Sequence, residues 1–401
     1  MNGKKIIISG TGCALADYLY TGVKFTGREF QKYLSKQSGD GGLSPGKLVF
    51  TEELEKFSSK SYADILVEIA NGASPCSINN GGPGLVPLIH ASQMLDAAEF
   101  EVKFYGGCGK DQTSGLLFDL LKNLPLNISN YLEISTKNTP FTHVFSDASY
   151  DNNQGERTFI NNIGAAWDYS PDLLGSGFFK SDIVCFGGTA LVPQIHDNLT
   201  ELLSKAKKKG CLTVVNTVFD FRNEKKNPGV QWPLGDTDKS LKMIDLLMMD
   251  CEEALKISGC QTIDLAADFF ISKEVSSFVI TNGSKNLFAY SDGRLFEKVD
   301  LIQLPVSGKV AEMILQNPDI IGDTTGCGDN FAGGAIASVA TQLKLVNRGE
   351  LDLFQTLAWA VASGGFTCFY IGGTYFEKRP GEKYSKVKEL VNDYIKQISI
   401  E

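Results

Sequence analysis

Compact apolar runs recur along this chain at Lys5 to Ser9, Asp182 to Phe186, Leu212 to Asn216, Ile244 to Met248 and Ser277 to Thr281. Runs of this length, rich in Val, Ile and Leu, read as buried strands. Most are separated by helix-length segments such as Gln194 to Lys209. Strands alternating with helices predict an α/β fold with a parallel sheet covered on both faces. In such a sheet the ligand crevice lies at the carboxyl ends of the strands, where Gly-rich and polar turns collect. The first run ends at Gly10-Thr11-Gly12, which reads as a tight turn.

Two stretches break this rhythm. Residues 21 to 80 hold Gly39-Asp40-Gly41-Gly42 and Pro45-Gly46, then a helical pattern from Ser61 to Ala70. Residues 139 to 165 offer strand candidates at Thr142 to Ser146 and Arg157 to Ile160 around a polar turn at 151 to 155. These excursions, at about 13–80 and 139–165, predict a small β-rich lid on one α/β domain spanning 1–401. No repeat or low-complexity linker suggests a second domain.

A net charge of -9 argues against a nucleic-acid or anionic-membrane partner, which needs clustered Lys and Arg. The densest basic run, Lys205 to Lys209, falls late in a predicted helix beginning near His196, where cations suit the dipole. The nine cysteines are scattered without a C-x-x-C pair and read as reduced thiols. The three histidines, 90, 143 and 196, form no ligand motif. No apolar stretch approaches a signal-peptide core or a membrane span, so the cytoplasm is the expected location.

The chemistry concentrates in Asp323-Thr324-Thr325-Gly326-Cys327-Gly328-Asp329, followed by Asn330-Phe331-Ala332-Gly333-Gly334. Residues without bulk let backbone amides converge, and the small apolar run after Asp329 reads as a tightly packed helix. Amides at a helix N-terminus make an anion site, and in phosphoryl transfer such a site holds the charge of the transferred group. Asp329 then stands where an acceptor hydroxyl gives up its proton. The plain alternative is an Asp that only caps a helix.

This segment resembles the second signature of the ribokinase-like, or phosphofructokinase-B type, carbohydrate kinase family, with Cys327 replacing a usual Ala. Other segments resemble the family in order along the chain. Gly10 to Asp17 looks like its first strand and turn, Gly81-Gly82 its hinge pair, and Gly106 to Asp111 its next strand end. Gly155 to Phe159 with Gly164-Ala165 looks like its lid hairpin and exit, and Ala358 to Gly365 the helix bordering the adenine. The resemblance implies a three-layer, mostly parallel sheet flanked by helices, with ATP and Mg2+ as cofactors and a homodimer through the lid. It implies Asp329 as base, the amides of Gly326, Cys327 and Gly328 as anion hole, and Asp17, Gly81 and Gly82 as substrate contacts. Thr281 and Gly283 would line the nucleotide, as would Asp250 and Glu253, which fall where the family has Asn-x-x-Glu, Glu253 acting on magnesium indirectly. Asp323 and Thr325 would offer oxygens to a monovalent cation, K+, as in some members.

The sequence departs from the family at two places. Val86 stands where members usually place a substrate-binding Asn, and Asp250 replaces the Asn of Asn-x-x-Glu. The acceptor is therefore a small sugar or sugar-like molecule of unspecified identity. Gly42 to Leu48 is faintly similar to the adenosine-kinase-like branch, so a nucleoside stays in view, as does a silent sugar- or nucleotide-binding member. A dinucleotide oxidoreductase fails because Leu15 occupies the third glycine position of its fingerprint, and no Gly-Lys-Ser/Thr marks a P-loop.

Overall fold

The computed structural model describes residues 4–37, 39–153, 155–317, 322 and 324–400. The strands are β1 (Ile6–Gly12), β2 (Leu15–Thr21), β3 (Leu48–Phe50), β4 (Ser77–Gly81), β5 (Phe100–Cys108), β6 (Asn127–Glu133) and β7 (Phe141–Asp147). They continue with β8 (Glu156–Asn162), β9 (Ile183–Gly187), β10 (Leu212–Asn216), β11 (Leu246–Asp250), β12 (Ser277–Thr281), β13 (Asn286–Ser291) and β14 (Val299–Pro305).

Nine strands form a large sheet in the order β14-β13-β12-β11-β10-β9-β1-β5-β6. From β12 to β6 every neighbouring pair is parallel, and the antiparallel β13 and β14 close one edge. Two apolar clusters cover its faces. One includes Leu88, Phe104, Ile336 and Leu357, and the other Phe186, Leu203, Phe270 and Phe278. Burial on both faces explains why these strands read as continuous apolar runs. The remaining five strands form a small sheet in the order β3-β8-β7-β2-β4. Its outer face packs Tyr20, Val49, Phe145 and Ile160 under the helices Thr51–Ser58 and Tyr62–Ile69.

Several expectations shift. The first strand does not turn at Gly10: it runs to Gly12, because β5 and β9 pair with it on both sides. The strand expected at Ile244 begins at Leu246, since Leu241–Met243 forms a 3-10 turn just before it. The long helix from Gln194 is two helices, Pro193–Asp197 and Leu199–Lys208, parted at Asn198. Within the polar turn, Tyr150–Asn153 forms a short helix. No helix among the described residues is long and apolar enough to cross a membrane.

Candidate active site

Gly326 has φ of +80° and caps the helix Cys327–Gln342. A Cβ there would also lie 2.6 Å from Gly373 Cα, so both backbone conformation and space demand glycine. Gly328, in the helix's first turn, has nothing within 4 Å of where a Cβ would stand, so the helix start opens on free space. The first amides of a helix lack intrahelical acceptors and, with its dipole, attract an anion there. Asp329 lies in the same turn, half-buried, and burial pushes its carboxyl up to about 7.

The turn is braced from behind through Asn330. Its Nδ2 donates to Gly326 O at 2.9 Å and Gly373 O at 2.8 Å. Its Oδ1 accepts from Lys383 Nζ at 3.0 Å and pairs with His90 Nδ1 at 2.7 Å. Burial pulls Lys383 down to about 7 and holds the His90 imidazole well below its ordinary range. Neutral His90 donates from Nδ1 to Asn330 and accepts from Ser363 Oγ at Nε2, 2.8 Å away. The helix packs tightly, for a Cβ on Gly333 would lie 2.6 Å from His90 Cβ and one on Gly334 2.4 Å from Ser363 Oγ.

Asp17 sits on β2, buried, with Asn79 of β4 opposite. A Cβ on Gly81 would lie 2.1 Å from Asp17 Oδ2, so only glycine fits beside that carboxylate. Gly82 follows with φ of +99° against Cys13 O. Burial, then the nearby carboxylates of Asp329 and Asp17, push the Cys13 thiol up, which places both acids around one residue.

Asp250 and Thr281 end the adjacent strands β11 and β12 as register partners, and Gly283 with φ of +57° turns the chain toward β13. Asp250 caps the helix Cys251–Ser258 by accepting from Glu253 N at 2.8 Å. Glu253 is buried; it accepts from Asp250 N at 3.0 Å and from Thr217 Oγ1 at 2.5 Å. Burial, followed by the Asp250 carboxylate, raises its pKa, with Asp329 adding to the rise. Asp323 lies outside the described residues. The Thr325 hydroxyl accepts from Arg157, and Cys327 Sγ stands 3.7 Å from Cys368 Sγ.

Sequence reasoning gave Arg157 no role beyond its hairpin. In the structure it reaches from β8 across to the anion turn, donating to Thr325 and, at 2.8 Å, to Thr324 Oγ1. The only signal was a cation in a strand flanking the lid turn, which does not say where it points. Val86 packs against Gly373 in the protein interior and offers no polar contact. Asp111 is structural: it caps the helix Gln112–Leu121 and accepts from Thr139 N at 2.7 Å. Among the described residues no group of three or more His, Cys, Asp or Glu is gathered for a metal.

The large-sheet fold is shared with solved kinases. A probable sugar kinase from Rhizobium etli superposes with a TM-score of 0.68 at 13% identity, covering 97% of this chain and 100% of that one. Adenosine kinase from Schistosoma mansoni, in complex with 2-fluoroadenosine, gives 0.66 at 16%, covering 92% and 97%. A putative ribokinase II from E. coli, in complex with ATP and Mg2+, gives 0.62 at 16%, covering 98% and 99%. The family model described as pfkB family carbohydrate kinase matches residues 70–379. The chain belongs to that family.

Proposed function

We propose that this chain transfers the γ-phosphoryl group of ATP to a hydroxyl of a small sugar or sugar-like acceptor, with Asp329 as base. The observation that carries this reading is Asp329 itself, placed in the first turn of an anion-binding helix start with a carboxyl raised to about 7. A base of that strength suits proton removal from an alcohol near neutral pH as phosphorus is attacked. The amides of Gly326, Cys327 and Gly328 face the charge on the transferred group, and the Arg157 guanidinium adds a positive charge beside Thr324 and Thr325. Asp17 with Gly81 and Gly82 holds the acceptor from the small sheet, which acts as the lid and excludes water.

The nucleotide runs along the carboxyl ends of β11 and β12, past Asp250, Glu253, Thr281 and Gly283. Hard oxygen donors there suit Mg2+, which in phosphoryl transfer neutralises phosphate charge. Glu253 Oε2 already accepts from Asp250 N and Thr217 Oγ1, which makes Glu253 an outer partner of such an ion.

An ATP-coupled turnover screen over pentoses, hexoses and nucleosides tests the reading, with Asp329→Asn beside the wild type. The variant should fold, bind ATP normally and lose about 10²- to 10⁴-fold in turnover. An Asp that only caps a helix is replaced well by Asn, so near-normal turnover in the variant would sink the assignment, and inactivity of the wild type on every acceptor would favour a silent binder.

A further inference from the structure

Two thiols meet beside the anion turn. Cys327 is the first residue of the helix Cys327–Gln342, and Cys368 caps the C-terminus of the helix Leu353–Thr367. Their sulfurs lie 3.7 Å apart. The main chains are close here as well, since a Cβ on Gly364, one helical turn before Cys368, would stand 3.0 Å from Cys327 O. Cys368 O accepts from Gly322 N at 2.8 Å, so this helix end also anchors the chain that leads into the anion turn. Both thiols are half-buried, whereas Cys13, Cys108, Cys185 and Cys211 are fully buried. Cys327 adjoins Gly328, where the helix start opens on free space and a small oxidant can enter. The two ends of the pair differ electrically. A helix N-terminus attracts negative charge and a C-terminus repels it, so Cys327 is placed to react first, as thiolates at helix starts do, and Cys368 to follow.

We infer that Cys327 and Cys368 form a reversible oxidative modification site, at which a hydroperoxide joins them as a disulfide and thereby closes the anion turn. In the first step the Cys327 thiolate attacks a peroxide oxygen, the O–O bond breaks, and the other oxygen takes a proton and leaves as water or an alcohol. Cys327 is then a sulfenic acid. The Cys368 thiol attacks that sulfur, the S–S bond forms, and the sulfenic oxygen leaves as water with the thiol proton. Two thiols have lost two electrons and two protons, and one hydroperoxide has gained them. A dithiol reverses the bond by exchange. Bonding draws the sulfurs from 3.7 Å to about 2.05 Å, and the pull falls on the first residue of the helix. A shift of about 1 Å is enough to spoil a positioned catalytic contact. The closure rests on the phosphotransferase reading, in which the Cys327 amide meets the γ-phosphate; the pairing of the thiols does not.

The test treats the reduced full chain with hydrogen peroxide, maps its linkages by mass spectrometry of a non-reducing digest, and measures MgATP and MgADP binding to the same sample by calorimetry. A linkage between Cys327 and Cys368 should be the main product, and dithiothreitol should remove it. Oxidation should weaken MgATP binding by about tenfold or more, the worth of one hydrogen bond to a charged oxygen. MgADP, which lacks the γ-phosphate, should bind within about threefold of its affinity for the reduced chain. The variant Cys368→Ser should bind MgATP as the wild type does, form no linkage, and accumulate a dimedone-reactive sulfenic acid on Cys327. The wild-type measurements decide the matter even if that variant fails to fold. Peroxide that oxidises the exposed Cys76 while leaving Cys327 and Cys368 as thiols, a main linkage to any other cysteine, or a linked chain with undiminished MgATP affinity would each overturn the proposal. A reduced wild-type chain that binds neither nucleotide would refute the kinase reading instead, and the mapped linkage alone would then decide the modification site.

Discussion

The large sheet is buried under apolar side chains on both faces, whereas the small sheet carries an apolar layer on one face and buried polar side chains such as Asp17 and Asn161 on the other. At the large sheet's carboxyl edge, Asp250 and Thr281 end β11 and β12, and the anion helix starts nearby. Groups there are aimed by backbone geometry, through caps and left-handed glycines. On the small sheet's inner face, Asp17, Arg157 and Asn161 are aimed by strand register. The difference separates two tasks. On the proposed reading, phosphate, which is chemically invariant, is handled by main chain on a rigid support, whereas the acceptor meets side chains that substitution can change without disturbing the main core.

Arg157 crosses between the two, and removing it should have the largest effect. Arg157→Met deletes the guanidinium at Thr324 and Thr325, and loss of one such donor to developing charge is worth about 10²- to 10³-fold in turnover. Acceptor affinity should change little, because the proposed substrate contacts Asp17 and Gly81 lie on β2 and β4 rather than on β8. Steady-state constants for both substrates check this. Turnover within threefold of wild type would mean that Arg157 only ties the sheets together.

A smaller, graded effect should follow from pH. The folded pKa of Asp329, raised by burial to about 7 from an ordinary 3.8, means the folded protein keeps a proton that the unfolded chain has lost. Its contribution to stability therefore falls as pH rises from about 4 to about 7 and levels off above that. Asp329→Asn lacks this slope, so its melting temperature should exceed wild type increasingly from pH 4 to about 7 and by a constant amount above that, helped by relief of the buried Glu253. Wild-type kcat/KM should fall about tenfold per pH unit below about 7. A melting difference that is flat with pH would place the Asp329 carboxyl in open water.

The two regions were unequally legible in the sequence. Doubly buried strands such as Leu212–Asn216 and Ser277–Thr281 announce themselves by composition, and both coincide with the runs read there. The small-residue run after Asp329 likewise forms the packed helix expected of it. What escaped depends on register: nothing in the sequence places Asn79 opposite Asp17, or Asn161 opposite Thr142 across the β7–β8 turn. Arg157 was visible as a hairpin residue, but its reach to Thr325, 168 positions away, is a property of how the sheets face each other. The extension of β1 to Gly12 was hidden for a related reason, since glycines that read as a turn are held extended by a parallel strand on either side.

The smallest effect is expected at Asp250, where the sequence departs from the family by a single atom type. Its carboxylate accepts from Glu253 N at 2.8 Å and caps the helix Cys251–Ser258. Asn caps as well as Asp, so Asp250→Asn keeps that bond while removing a charge beside buried Glu253. That charge holds the Glu253 pKa up, and its loss should let Glu253 ionise at lower pH without altering the backbone. Turnover should stay within about threefold of wild type and the melting temperature within about 2 °C. Asp250→Ala, by contrast, loses the cap and should cost about 0.5–2 kcal/mol of stability. Melting curves and ATP titrations on the same three proteins separate a residue that shapes the strand edge from one that touches the nucleotide. If Asp250→Asn weakened ATP binding tenfold or more while melting normally, the carboxylate itself would be engaging the nucleotide or its metal, and the edge of the large sheet would depend on side chains as much as the small sheet's face does.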